Sequence, residues 1–156
     1  MSPEIFRSLQ ASASEDQWGA PSLPTARALN RQGRSLRGSK VLVLGLSYKA
    51  DIDDDRESPS FEIIERLRAA GADVAYCDPY IPVARPGREH DLRLASVPCT
   101  AEEFARYDAL VVSTAHSDFK DKRLYSGVKA VVDTRNLMAP LGLGAPGAPG
   151  PQVFRA

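Results

Sequence analysis

Residues 49–59 read Lys-Ala-Asp-Ile-Asp-Asp-Asp-Arg-Glu-Ser-Pro, so one turn gathers Lys49, Arg56 and four aspartates. The turn follows an apolar run, Val41 to Leu44 with Gly45, and leads into an amphipathic helix. Cations and helix-end amides at the carboxyl edge of a strand suit a phosphate-bearing ligand. Lysine supplies a compact point charge there and arginine a planar, bidentate fork. A second reading stands beside this one: Arg56 simply neutralises Asp53, Asp54 and Asp55. Four aspartates are also the raw material of a Mg²⁺ site, but two basic residues in the same turn argue against it.

Other reactive residue types are more scattered. Asp133-Thr134-Arg135-Asn136 ends the last apolar run and delivers a second arginine to the same edge of a sheet. His116, in Ser-Thr-Ala-His-Ser-Asp-Phe, has neither metal spacing nor a serine–histidine–acid order around it, and reads as a hydrogen-bonded loop residue. A dinucleotide fingerprint would need three glycines in G-x-G-x-x-G, so that backbone can approach a pyrophosphate. Here Gly45 is followed by Leu46-Ser47-Tyr48-Lys49. Asp78, after a later strand, sits where an acid can hold a ribose, yet Asp-Pro at a strand end commonly just makes a turn. Cys77 and Cys99 lack metal-ligand spacing and read as core or loop thiols in a reducing cytoplasm.

These residues need elements to position them. Lys40 to Leu46 is continuously apolar after its first residue, the pattern of a strand buried on both faces in a parallel sheet. Ser58 suits an N-cap and Pro59 the first helical position. Phe61, Ile64 and Leu67 recur at helical spacing, and Gly71 suits a left-handed helix end. A strand follows over Asp73 to Cys77. Asp91 to Leu94 reads as a short strand, and Thr100-Ala-Glu-Glu103 as a capping box opening a short helix to Arg106. Ala109 to Ser113 is a strand, Lys120 to Ser126 a weak helix and Lys129 to Asp133 a last strand. Thr25 to Asn30 suits a short helix. Alternation of this kind predicts a parallel, doubly wound α/β sheet with right-handed crossovers. The expected divisions are an N-terminal extension over 1–37, a compact domain over 38–138 and a flexible Gly/Pro/Ala tail over 139–156.

Composition excludes several classes. Twenty basic and twenty acidic residues cancel, so nothing draws the whole chain to nucleic acid or an anionic membrane. The sequence has no apolar run of the ~18 residues that span a bilayer. The first residues lack the basic-then-apolar order of a signal peptide.

Taken in order, Lys40-Val-Leu-Val-Leu-Gly-Leu-Ser-Tyr-Lys49, Asp54-x-Arg56-x-Ser58-Pro59, Gly71-Ala-x-Val-x-x-x-Asp78-Pro79-Tyr80 and Asp133-Thr-Arg-Asn136 resemble the C-terminal domain of the UDP-glucose/GDP-mannose dehydrogenase family. The resemblance covers about residues 25 to 138, and the Tyr-Lys and Asp-Thr-Arg-Asn forms look most like the bacterial branch acting on UDP-N-acetylhexosamines or UDP-glucose. It implies a Rossmann-like three-layer sandwich that holds the UDP half of a UDP-sugar. It further implies a two-step, NAD-dependent oxidation of the sugar C6 alcohol in polysaccharide precursor synthesis, and a homo-oligomer. By the same resemblance, Tyr48, Lys49 and Arg135 would contact the UDP-sugar, and Arg56 would reach the NAD pyrophosphate.

The family's N-terminal NAD-binding domain and catalytic cysteine have no counterpart in these residues. No catalytic residue is therefore expected here. The isolated chain is expected to be inactive, to bind NAD weakly at best, and to need a NAD-binding-domain polypeptide or a full-length homologue as partner. A rival reading keeps the fold as a stand-alone binding or interaction module without catalysis. A receiver-like signalling domain is a further rival, but Asp133 does not fit its acceptor position.

Overall fold

The computed structural model describes residues 22–86 and 91–155. Five strands form one all-parallel sheet in the order β2-β1-β3-β4-β5. They are β1 (Lys40–Leu44), β2 (Asp73–Cys77), β3 (Ala109–Val112), β4 (Ala130–Asp133) and β5 (Gln152–Arg155). The helices are α1 (Ser22–Asn30), α2 (Pro59–Ala69) and the one-turn α3 (Ala101–Phe104). Short 3₁₀ turns span Ser117–Phe119, Lys122–Tyr125 and Ala139–Leu141. No described helix is long and apolar enough to cross a membrane.

Successive side chains of a strand point to opposite faces, so an unbroken apolar strand must be covered on both. Val41 and Val43 enter a core with Val74, Tyr76, Val111 and Val132, closed by α1 and α2. Leu42 and Leu44 enter a second core with Leu110, Val112 and Val131, closed by Phe104 of α3, Phe119 and Tyr125. The α/β Rossmann-like architecture expected from the alternation is the architecture found.

Local chemistry sets the element ends. Ser58 Oγ accepts the Ser60 amide, and Pro59 occupies the first turn of α2. Ile64 and Leu67 are fully buried from that helix, each contributing about 1.5–3 kcal/mol of apolar transfer. Gly71, at φ 95°, turns the chain back. Thr100 Oγ1 accepts the Glu103 amide at the start of α3.

Four expectations need correction. First, residues 22–37 and 139–155 are not appendages to a 38–138 domain. Ala26, Ala28 and Leu29 of α1 are fully buried, and β5 pairs with β4 in register Val131↔Val153 and Val132↔Phe154. Four residues suffice for an edge strand, and the surrounding Gly-Ala-Pro composition hides them. Gly142 supplies a left-handed turn, Leu143 is buried, and Phe154 packs on the α1-side core with the Arg31 guanidinium 5.6 Å from its ring.

Second, Asp91 to Leu94 is not a strand; Ala95, just after it, makes a single antiparallel bridge with Val83. Third, Lys120 to Ser126 is a 3₁₀ turn over Lys122–Tyr125, not an α-helix. Fourth, Cys77 and Cys99 are joined in a disulfide and are not free thiols. The Val97 amide donates to Tyr76 O, and the Asp78 amide to Ser96 Oγ, folding the intervening loop back along β2. That leaves the cysteine Cα atoms 5.8 Å apart, a separation a disulfide spans.

The edge strand is the part least foreseen, and it can be tested directly. Truncating a fully buried phenylalanine costs ~3–5 kcal/mol; half-buried Phe154→Ala is expected to cost about 2 kcal/mol in urea unfolding. The amides facing β4, Gln152 (which donates to Lys129 O) and Phe154, should exchange slowly. Unchanged stability with fast exchange at both would remove β5 from the fold.

Candidate functional site

The strands end in register: Leu44 lies beside Cys77 and Val112, and Val112 beside Asp133. The next residues, Gly45, Asp78, Ser113 and Thr134, therefore line one carboxyl rim. In open parallel sheets, ligands bind outside this edge. Tyr48 and Lys49 reach the rim from the loop after β1, and Arg135 from the loop after β4, with β3 between them.

Gly45 sits at φ 91°, and a β-carbon on it would overlap Thr114 and lie 2.8 Å from the Thr114 carbonyl oxygen. This glycine serves close packing of two rim loops, not access for a pyrophosphate. The amides that could cradle a phosphate are already taken. Leu46 and Ser47 donate to Asp78 Oδ2 at 2.7 and 3.0 Å, and Tyr80 donates to Asp78 Oδ1 at 2.8 Å. An internal carboxylate thus occupies the anion nest of the first turn. NAD does not fit there, and Asp78 is an anchor, not a ribose ligand.

His116 completes the anchor. It is fully buried, with Nε2 2.9 Å from Asp78 Oδ2 and 3.0 Å from Ser47 Oγ. Its Nδ1 accepts the Asp51 amide at 2.8 Å. The hydrogen-bonded loop reading holds, and the residue is fully buried as well. A missed signal was available: a histidine just after central β3 and an aspartate just after edge strand β2, with β1 between them, fall on one rim. Burial alone would raise the Asp78 carboxyl. The hydrogen bonds from His116 and from the Leu46 and Tyr80 amides outweigh it, and the carboxyl sits below its ordinary value.

The acidic turn divides its charges among separate partners. Asp51, at φ 63°, accepts the Ser117 amide and hydroxyl at 2.7 and 2.6 Å. Asp54 takes Arg56 through both oxygens, at 3.0 and 2.9 Å, and those hydrogen bonds hold its carboxyl down at about 2. Buried Asp55 accepts the Arg85 amide, while the Arg85 guanidinium donates to Asp53 O. Among the described residues Arg56 therefore forms its ion pair with Asp54. Its side chain, 83% exposed, still faces solvent.

Lys49 and Arg135 are different. Among the described residues neither forms an ion pair with a carboxylate. Lys49 Nζ lies 5.9 Å from the ring centroid of Tyr48, which is 50% exposed. Arg135 Nε donates to Ser113 O at 2.9 Å, which aims the guanidinium along the rim. Asp133 builds that turn by accepting the amides of Arg135, Leu137 and Met138, with Asn136 at φ 55°. Ser60 Oγ bridges Ser113 Oγ and Gly45 O at 2.6 and 2.9 Å, tying the rim of β3 to that of β1.

The depressed Asp78 carboxyl makes stability depend on pH. A folded-state value below the unfolded one gives stabilisation that is present above the unfolded value and lost as pH falls through the folded one. The unfolded value is about 3.9, so the loss should begin below about pH 4. Asp78→Asn should be less stable at pH 7 and show a shallower fall in this window by chemical unfolding. Parallel pH profiles for the two proteins would refute the anchor.

Similarity to known proteins follows the same stretch of chain. Residues 42–140 match the UDP-glucose/GDP-mannose dehydrogenase family, UDP binding domain. A UDP-glucose 6-dehydrogenase of Rhizobium meliloti is 35% identical over 125 residues, which are 71% of this chain and 27% of that protein. A UDP-N-acetyl-D-glucosamine 6-dehydrogenase of Salmonella typhi is 27% identical over 94 residues, 60% of this chain and 21% of that protein. The crystal structure of an NDP-N-acetyl-D-galactosaminuronic acid dehydrogenase from Methanosarcina mazei superposes with a TM-score of 0.63 at 30% identity, over 77% of this chain and 25% of that one. The chain thus spans about a quarter of the length of these relatives. With the matched segment running from β1 through the Arg135 turn, the chain belongs to the UDP-glucose/GDP-mannose dehydrogenase family and carries its UDP-binding domain.

Proposed function

We propose that the carboxyl rim binds the diphosphate of a UDP-sugar, with Lys49 and Arg135 on the phosphates and Tyr48 beside them. One observation carries the reading: these two rim cations have no carboxylate partner among the described residues, although the neighbouring loop is rich in aspartate. A dianionic ligand supplies the missing charge through charge-assisted hydrogen bonds. The amide nest is filled by Asp78, so recognition falls to side chains at the rim.

In this reading the domain contributes the nucleotide-sugar half of an NAD-dependent 6-dehydrogenase. UDP-glucose and UDP-N-acetylhexosamines are the candidate substrates, serving polysaccharide precursor synthesis in the cytoplasm. Arg56, exposed and outside the Lys49–Arg135 pair, is the residue available to a NAD pyrophosphate held by another domain. Hydride acceptor and cysteine nucleophile come from that domain, in the same assembly or a homo-oligomer. The alternative is an interaction module that keeps the fold without the ligand.

NMR titration with UDP, UMP and uridine separates the two. UDP at millimolar concentration should shift resonances near Tyr48, Lys49 and Arg135, and uridine should do so far less. Each charge-assisted contact contributes ~1.5–3 kcal/mol, so Lys49→Ala or Arg135→Ala should weaken UDP about tenfold or more. Arg56→Ala should leave UDP affinity nearly unchanged. The chain alone, given NAD⁺ and either UDP-sugar, should form no NADH. An absence of shifts at millimolar UDP would reject the nucleotide reading in favour of the interaction module.

A further inference from the structure

We propose that His116 is the positioning residue of this site: its imidazole pins the loop of residues 47–51 from below and so sets where Lys49 meets a phosphate. This rests on the UDP reading above, but its structural half can be tested without ligand.

The tautomer follows from the hydrogen bonds. Nδ1 accepts from the Asp51 amide, so it carries no proton. The ring proton is therefore on Nε2, between Asp78 Oδ2 and Ser47 Oγ. The Ser47 hydroxyl donates to the Lys49 carbonyl at 2.8 Å, so toward the ring it can only accept. Serine and aspartate both crowd one ring nitrogen, and the serine proton points away. A nucleophile relay would put the nucleophile and the orienting acid on opposite nitrogens. The constellation holds a loop; it does not activate Ser47.

One ring thus grips the loop at both ends, at Ser47 and at the Asp51 amide, with Lys49 between. Asp51 sits in the left-handed region at φ 63°, a conformation that persists only when the surroundings over-determine it. The surroundings here are His116 on its amide and Ser117 on its carboxylate. From above, the Tyr48 amide is tied to Asp54 O and the Ser47 carbonyl accepts the Thr114 hydroxyl. The side chains of Tyr48 and Lys49 are left to solvent and ligand. Phe119 and Tyr80 pack on the imidazole at 5.5 and 4.9 Å between ring centroids, which fixes its plane.

The two ends of the ring can be removed separately. Asparagine places an oxygen near the Nδ1 position and can still accept the Asp51 amide. Glutamine places a donor near the Nε2 position and can still reach Asp78. The Asp51 end holds Lys49 directly, whereas Asp78 keeps the Leu46 and Ser47 amides without the ring. His116→Asn should therefore retain more than His116→Gln.

Amide exchange at Tyr48 and Asp51 is the first measurement, on the ligand-free chain. Protection should fall in His116→Gln and largely survive in His116→Asn, while β1 and β3 amides stay protected in both. UDP titration follows. His116→Gln should lose about tenfold in affinity, the worth of one charge-assisted contact, and His116→Asn clearly less. Combined with Lys49→Ala, His116→Gln should cost nothing further, because it acts through Lys49. Wild-type exchange at Tyr48 and Asp51 in His116→Gln would overturn the proposal, as would equal loss in the two variants or simple addition with Lys49→Ala. If the wild-type chain binds no UDP, the functional reading fails while the exchange result still decides the role of His116. His116→Ala leaves a cavity beside a buried carboxylate and is not needed for any arm.

Discussion

A carboxylate taken out of water without a cation against it has to be satisfied by hydrogen bonds, or it costs several kcal/mol. Asp78 meets that demand at the end of β2. It collects the amides of Leu46, Ser47 and Tyr80 and the ring of His116, all between 2.7 and 3.0 Å. Each donor comes from the rim: two from the loop after β1, one from the loop after β2 and one from the loop after β3. A single buried charge therefore specifies how three loops sit on the sheet. The positions of Tyr48 and Lys49 are consequences of that arrangement.

The same carboxylate explains what the first strand-to-helix turn cannot do. In a dinucleotide-binding turn the backbone amides face a ligand pyrophosphate. Here they face Asp78. The turn keeps the donor geometry of a phosphate site but fills it with its own anion, which converts a binding element into a scaffold. Ligand recognition is displaced outward, to side chains standing on the scaffold. The acidic turn follows the same economy. Asp51, Asp54 and Asp55 are each matched to a hydroxyl, a guanidinium or an amide, so each of these carboxylates has a partner within the protein.

A second constraint runs across the sheet. Asp133 builds the turn after β4, and its Arg135 is aimed by Ser113 O at the end of β3. Ser113 is bound through Ser60 to the Gly45 carbonyl. A continuous line of hydrogen bonds thus links the turn bearing Arg135 to the start of the loop bearing Lys49. The two cations belong to loops about ninety residues apart in the chain, yet both are referenced to the same three strand ends. Displacement of β3 would be felt at both.

Much of the architecture was readable from periodicity and punctuation. Continuous apolar strands required cover on two faces, Ser58 and Pro59 marked the start of a helix, and Gly71 its end. Those signals are local, and local chemistry carried them through unchanged. Lys49 and Arg135 could be named as rim cations because parallel strands deliver the residues after their ends to one edge; Tyr48 entered through the family resemblance, and Arg56 stands beside the helix that follows. What sequence did not reveal depended on partners distant along the chain. Asp78 looked like a turn residue until Leu46, Ser47 and His116 were beside it. His116 looked incidental because its acid lies 38 residues upstream. Cys77 and Cys99 showed no motif, and only the fold-back of the intervening loop brought them together. The tail looked unstructured because a four-residue edge strand draws its stability from β4 and from contacts around Phe154, and composition cannot register a neighbour. Local propensity set the elements; long-range hydrogen bonding and packing set their partners, and the site is made of partners.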